Sequence, residues 1–262
     1  MSILGSAKRA LKSAAPPALL EAARDLKHHN DLHPGHKAYT SLVEGKKGIE
    51  IGGPTVWLFR YRIPIYQAAG ALDGVNFSAN TIWEGDIGAN AGRYAYYKDR
   101  AGRQFISEAA DLTNIKDQSY DFLVSSHCLE HIANPIQAVK EWRRVVKPGG
   151  AMMLFLPNRA HTFDHRRAFT TFEHLLSDYE KGTPESDLTH LDEILEKHDY
   201  SMDIHAGGSE EFRARALDNF TNRCLHHHVF DLDLLKMMFD FAGVETLRRE
   251  EIANSFAIIG RV

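Results

Sequence analysis

Cysteine is scarce in this chain. There are two among 262 residues, Cys128 and Cys224, and neither stands in a Cys-x-x-Cys pair. A disulfide framework and a thiolate zinc knot are therefore not indicated, and a reduced, cytoplasmic setting is the expectation. Basic excess is missing too: 31 Lys and Arg face 35 Asp and Glu, for a net charge of −4. The electrostatic footprint of a nucleic-acid binder is absent. The sole arginine cluster, Arg166, Arg167, Arg213, Arg215 and Arg223, sits in an acidic surround. No apolar run approaches the roughly 18 residues of a membrane span, and the N-terminal segment lacks the apolar stretch of a signal peptide. A Gly-x-Gly-x-x-Gly turn and a Walker A loop are also absent, which disfavours NAD and ATP.

The chain is otherwise ordinary for a globular protein, with 44% hydrophobic and 25% charged residues. Its length suits one large domain, or one domain with a cap. Residues 6–29 show apolar positions at helical spacing, broken by Pro16 and Pro17, with Lys8, Arg9 and Lys12 giving a basic face. This predicts either a packing helix or a surface helix for a membrane or partner, within an N-terminal helical segment 1–45.

From residue 46 to 262 the pattern alternates. GIEIG (48–52) suits a buried parallel strand, and 55–70 a helix that Pro64 must kink or end. VNF (75–77) is the candidate second strand. The polar stretch that follows, through Gln104, reads as a long loop or small hairpin. FISEAADL predicts a strand and turn, YDFLVSS (120–126) a strand, and PIQAVKEWRRVV (135–146) a helix stopped by Lys-Pro-Gly-Gly. AMMLFLP (151–157) predicts a fifth strand. Residues 159–228 break the rhythm, being polar, partly helical and rich in histidine. They are expected to form an insertion or cap over the carboxyl edge of the sheet. A helix (231–242) and two strands, VETLRRE and SFAIIGRV, close the chain. Strands alternating with helices give a doubly wound, mostly parallel sheet of seven strands.

Ligands of such sheets bind beyond the carboxyl ends of the strands, at the topological switch point. The first such loop reads Glu50-Ile51-Gly52-Gly53-Pro54-Thr55. Glycines allow close backbone approach, and an acid can pair with an ammonium group. Asp111 and Leu112 close the third strand, where a carboxylate can accept from an adenine amino group and a leucine can pack on the ring. The run YDFLVSSHCLEHIANP then leads through a helix to VVKPGGAMMLFLPN.

This order and spacing resemble the class I S-adenosylmethionine-dependent methyltransferases over residues 48–158. The resemblance implies S-adenosylmethionine as cofactor. It places Glu50, Gly52, Gly53 and Pro54 at the methionine part, Asp111 and Leu112 at adenine, and Ser126 and His127 along the same edge. The family usually ends its second strand with an acid that grips the ribose. None follows VNF directly, so Glu84 in TIWEG is the candidate, with Asp86 as fallback. TIWEG, TFDHRR, TTFEHLLSDYE, DLTHL and NRCLHHHVFD further resemble methyltransferases found among sugar and polysaccharide biosynthesis enzymes.

A hydroxyl acceptor needs a base of near-neutral pKa, and histidine suits this. The candidates are His161, Asp164 and His165 after the fifth strand, with His131. His174 and Asp178 share a helix face. In an extended segment His226 and His228 would share a face as well. Phe163, Phe169, Phe172 and Tyr179 can stack on sugar rings. His127-x-x-Glu130-His131 resembles the turn of metal-dependent O-methyltransferases, with Glu130 and His131 as ligands and His161, His190 or His228 completing the set. Because Leu-Glu-His turns recur in metal-free relatives, a divalent metal is not the expectation. The sequence thus predicts O-methylation of a small polar acceptor such as a sugar or glycan precursor, with a histidine base. The alternatives are a metal-dependent O-methyltransferase of another small molecule and a cofactor-binding regulatory module without turnover.

Overall fold

The structure, a computed structural model, describes residues 25–28, 31–88, 92–203 and 205–262. The paired helices expected over 6–29 lie outside the described residues except at 25–28, which are helical.

Among the described residues, eight strands form the main sheet. In chain order they are β1 (Lys47–Ile51), β2 (Ala71–Asn76), β5 (Arg93–Tyr97), β6 (Arg100–Ile106), β7 (Tyr120–Ser126), β8 (Val146–Pro157), β9 (Glu245–Ile252) and β10 (Ser255–Arg261). Two-residue strands β3 (Asn80–Thr81) and β4 (Gly85–Asp86) make a separate hairpin. The spatial order is β5-β6-β2-β1-β7-β8-β10-β9. The contacts β6–β2, β2–β1, β1–β7 and β7–β8 are parallel. β10 lies antiparallel between β8 and β9, and β5 folds back antiparallel on β6. The doubly wound sheet is as expected. The eighth strand arises because the polar stretch before Gln104 folds into two hairpins, one of which extends the sheet edge.

Apolar residues cover both faces. On one lie α3 (Pro135–Val145), α4 (Phe172–Lys181) and α8 (Leu232–Ala242), with Trp142, Leu175, Leu235 and Phe239 buried against the strands. On the other lie α1 (His36–Val43) and α2 (Ile65–Ala68), bringing Tyr39, Val43, Phe59 and Tyr66 inward. The helices start where their caps dictate. Asn134 accepts from the Gln137 amide with Pro135 at the first turn. Thr171 and Asp231 do the same for the amides of His174 and Leu234. The helix expected over 55–70 is split: a wide π-type turn, Trp57–Arg62, precedes Pro64 and α2 follows it.

Strand order reverses at β1. The chain runs outward through β2 and β6, then returns to β7 on the other side, so the switch point falls between the carboxyl ends of β1 and β7. The segment 159–228 contributes α4, α5 (Leu191–Lys197), α6 (Ser209–Leu217) and α7 (Asn219–Asn222). Beyond α4 it has a small core of its own around Leu191, Ile194, Phe212 and Leu225.

Candidate active site

A cavity of about 820 Å³ opens at the switch point, within the size range of small-molecule sites. One end is built from strand ends: Ile51 and Gly52 after β1, Asn76 and Phe77 after β2, Ser107 to Ala109 after β6, and Ser126 to Cys128 after β7. The opposite end is built from Glu130 and His131 and, in the insertion, from Thr162, Phe163, Glu185, Asp203, Arg223 and His226. Trp83 and Glu84 reach the rim from the turn between β3 and β4.

The loop after β1 is pinned on several sides. The Gly52 amide donates to the Val75 carbonyl at 2.9 Å, and Ser125 Oγ donates to the Ile51 carbonyl at 3.1 Å. Asn76 Nδ2 donates to the Gly53 carbonyl at 3.0 Å. Gly52 sits at φ +80°, and a Cβ there would come within 2.8 Å of Cys128. Glycine is therefore required for both the turn and the close approach.

Glu50 does not line the cavity. It is 0% exposed and is caged by donors: Tyr94 Oη at 2.6 Å, Tyr66 Oη at 2.9 and 3.1 Å, and the Thr55 amide at 2.8 Å. Burial pushes its carboxyl upward, and the bonds from Tyr94, Thr55 and Tyr66 oppose this. In this structure Glu50 therefore braces the loop from beneath. Gly53 likewise lies off the cavity, with Gly52, Pro54 and Thr55 forming the wall. Asp111 and Leu112 are also displaced from it. Leu112 is wholly buried in the core and its amide donates to Glu141 on α3, while Asp111 is exposed. β6 ends at Ile106, so Ser107, Glu108 and Ala109 take the position over the cavity instead. Glu84, Ser126 and His127 do line it; the fallback Asp86 does not.

At the end of the cavity built by the insertion the sequence candidates are redistributed. His165 Nε2 meets Asp199 at 2.8 Å and His161 lies 3.8 Å from Glu251; neither lines the cavity. Asp164 turns away from its neighbour His165 and accepts from His226 Nδ1 at 2.5 Å, a residue 62 positions away. His226 itself lines the cavity, packed between the rings of His131 (4.6 Å) and Phe163 (4.8 Å). Arg167, buried, holds the pair from behind: it donates to Asp164 at 3.1 Å and to the carbonyls of His226 and His227 at 2.7 and 3.1 Å. Burial disfavours the charged form of His226, but the charge of Asp164 and its hydrogen bond, joined by Glu130, outweigh this and raise its pKa. For Asp164 burial acts upward, and His226 and Arg167 reverse it, to about 2.

Glu130 differs again. It is 1% exposed and neither carboxylate oxygen has a hydrogen-bond partner among the described residues. Burial pushes its pKa to about 7. Its donor atoms, with those of His131 and His226, lie within 4.8 Å of one another, so this trio could hold a cation. Cys128 takes no part as a thiolate, since burial raises its pKa to about 12.

Four arginines of the cluster pair with acids. Arg166 pairs with Asp199, Arg167 with Asp164, Arg215 with Asp203, and Arg223 with both Glu108 (2.6 Å) and Glu185 (2.8 Å). Of the four aromatic candidates only Phe163 lines the cavity. Phe172 and Tyr179 pack on Phe241, and Phe169 lies under Arg159. Glu108 and Glu185 are not singled out by the sequence, and Arg223 only as one of an arginine cluster; their association spans more than 100 residues. His226 was visible only as one of three consecutive histidines.

A family model described as a methyltransferase domain matches residues 70–154. A demethylmenaquinone methyltransferase of Bacillus velezensis is 28% identical over 133 residues, 49% of this chain and 53% of that protein. The chain thus spans about half the length of this curated relative. Among solved structures, an S-adenosylmethionine-dependent methyltransferase from Mesorhizobium loti superposes with a TM-score of 0.52 at 12% identity, over 87% of this chain and 96% of the other. A second, from Aquifex aeolicus, gives 0.48 at 12% identity over 94% and 98%. At such identity the Mesorhizobium protein speaks for the fold. Together with the strand order and the cavity at the switch point, it shows the class I methyltransferase fold, and residues 70–154 are similar to a methyltransferase domain.

Proposed function

We propose that the protein transfers a methyl group from S-adenosylmethionine to an oxygen of a small polar, sugar-containing acceptor, with His226 as general base and Asp164 as its positioning partner. The observation that carries this is the buried Asp164–His226 pair at the acceptor end of the cavity.

The strand-end half of the cavity fits the cofactor. Gly52 leaves bare backbone against it, where any Cβ would collide with Cys128. Asn76, Glu84 and Glu108 offer polar groups, and Phe77, Ala109 and Ile132 offer apolar wall for a ring. In this reading Gly52, Pro54 and Thr55 hold the methionine part, Asn76 and Glu84 the ribose side, and Glu108 and Ala109 the adenine side. Ser126 and His127 border the same space. When bound, the cofactor supplies an electrophilic methyl group on a sulfonium.

Asp164 engages Nδ1 of His226, leaving Nε2 to take the proton from an acceptor hydroxyl. A positioned base of this kind contributes about 10²–10⁴-fold, and the fixed geometry from Arg167 adds the benefit of orientation. Trp83 and Phe163 provide rings for a sugar face, while Glu185 and Asp203 can accept from its hydroxyls. Among the described residues no helix is long and apolar enough to cross a membrane.

Calorimetry with S-adenosylhomocysteine, followed by mass spectrometry of sugars and nucleotide sugars incubated with S-adenosylmethionine, tests this reading. Heat on binding and a methyl ether product are expected. Absence of binding would sink the enzyme reading, and a carbon or nitrogen product would sink the oxygen acceptor. A second reading, a metal-dependent O-methyltransferase, is favoured by one observation: the unpartnered Glu130 oxygens beside His131 and His226. Full turnover after exhaustive chelation removes it.

A further inference from the structure

Outside the cavity, a second cluster joins three parts of the insertion. His174 and Asp178 lie one turn apart on α4, His190 precedes α5, and His228 lies just beyond His226. Each offers a ligand atom, and the four atoms lie within 4.8 Å of one another. None of these residues lines the cavity.

The spacings match an ion that the side chains could surround. His174 Nε2 is 3.1 Å from His190 Nε2 and 3.2 Å from Asp178 Oδ2. A tetrahedron with bonds of about 2.0–2.1 Å has edges of about 3.3 Å, the geometry of four-coordinate zinc.

Two buried atoms lack the partners that their burial calls for. Asp178 is 8% and His228 1% exposed. Asp178 Oδ2 and His228 Nδ1 have no hydrogen-bond partner among the described residues. The surroundings are arranged as they are around metal ligands. Thr183 Oγ1 donates to Asp178 Oδ1 at 3.0 Å, which fixes the carboxylate and leaves Oδ2 facing the histidines. His228 is steadied by the Ala133 carbonyl, 3.2 Å from Nε2.

We propose that His174, Asp178, His190 and His228 form a structural zinc site that fastens α4 and the start of α5 to the segment carrying His226. Three imidazoles and one carboxylate suit zinc better than magnesium or calcium. Four protein ligands leave no open position, so this is a closed site with a structural role. The ion ties α4 and the start of α5 to residues 226–228, and thereby holds the acceptor end of the cavity in place.

The test is elemental analysis of the full-length protein purified without chelator and desalted. Zinc at one equivalent per chain is expected, lost from Asp178→Asn and from His190→Ala but retained in Glu130→Gln. Should those variants fold poorly, the wild-type protein is stripped with a chelator and titrated with Co²⁺ alone. The intense visible absorption of tetrahedral cobalt at one equivalent supports the site. Failure of the stripped, still-folded protein to take up Zn²⁺ or Co²⁺ overturns it. So does zinc that survives in Asp178→Asn and His190→Ala but is lost in Glu130→Gln, since the ion would then sit in the cavity. Binding of S-adenosylhomocysteine, followed separately, reports on the methyltransferase reading and is independent of these outcomes.

Discussion

Two glutamates, Glu50 and Glu130, are almost equally hidden, at 0% and 1% exposure, yet they live in opposite circumstances. Glu50 receives hydrogen bonds from Tyr66, Tyr94 and the Thr55 amide. Glu130 receives none from the described residues. Burying a carboxylate is costly in both places, but only at Glu50 does the fold offset the cost. The cofactor end is a finished piece of architecture that holds a loop. The opposite end of the cavity leaves the Glu130 oxygens without a hydrogen-bond partner among the described residues, an exception to the rule that buried polar groups are paired.

The largest expected effect lies at the acceptor end. His226→Gln should lower kcat by about 10²–10⁴-fold while leaving S-adenosylhomocysteine affinity unchanged in calorimetry. An unaltered rate would break the contrast, since the polar groups there would then have no catalytic use. Next comes Glu50→Ala, which leaves the hydroxyls of Tyr66 and Tyr94 without their acceptor. At about 1–3 kcal/mol for each buried unsatisfied group, denaturant unfolding should show a loss of about 3 kcal/mol or more. Gly74→Ala follows: a Cβ there would sit 2.2 Å from the Tyr94 ring. Overpacking of this kind costs about 1–3 kcal/mol, readable as a lower Tm with a weaker cofactor response. Smallest in stability is Glu130→Gln, which breaks no protein hydrogen bond and removes a desolvated charge. Its unfolding free energy should stay within about 0.5 kcal/mol of the parent or rise, while turnover falls. A loss as large as that of Glu50→Ala would erase the distinction between the two sites.

The sheet was largely legible because β1, β7 and β8 are short apolar runs bounded by glycine, proline or polar residues. The termini of α3 and α8 were legible because Asn134-Pro135 and Gly243 are local signals. The site was legible only where chemistry follows chain order. Gly52, Glu84, Ser126 and His127 stand at strand ends or turns and do line the cavity. Glu50 lies off the cavity because its partners, Tyr66 and Tyr94, come from elsewhere in the chain and only the folded sheet brings them to it. Asp111 is expected at the strand end, but β6 stops at Ile106, and a shift of a few residues puts Glu108 over the edge instead. Asp164 stands beside His165 in the chain, whereas its partner is His226. Proximity in sequence is a poor guide inside an insertion whose helices return on themselves. The insertion's histidines divide between a cavity and a closed cluster, and His226 and His228 serve different ones.

Gly74 and Tyr94 carry a consequence for how the protein assembles. The Tyr94 ring lies across Gly74 of β2, and its hydroxyl ends on Glu50 beneath the first loop. The outermost strand of the sheet thus reaches inward to a residue 44 positions earlier in the chain. Contacts this distant in sequence form late, after the entropy of closing the intervening loop has been overcome. The glycine loop should therefore acquire its final shape only when the edge hairpin docks. Hydrogen exchange would read this as shared protection: Gly52, Thr55 and the β5–β6 amides should open as one unit, slowed together when S-adenosylhomocysteine binds.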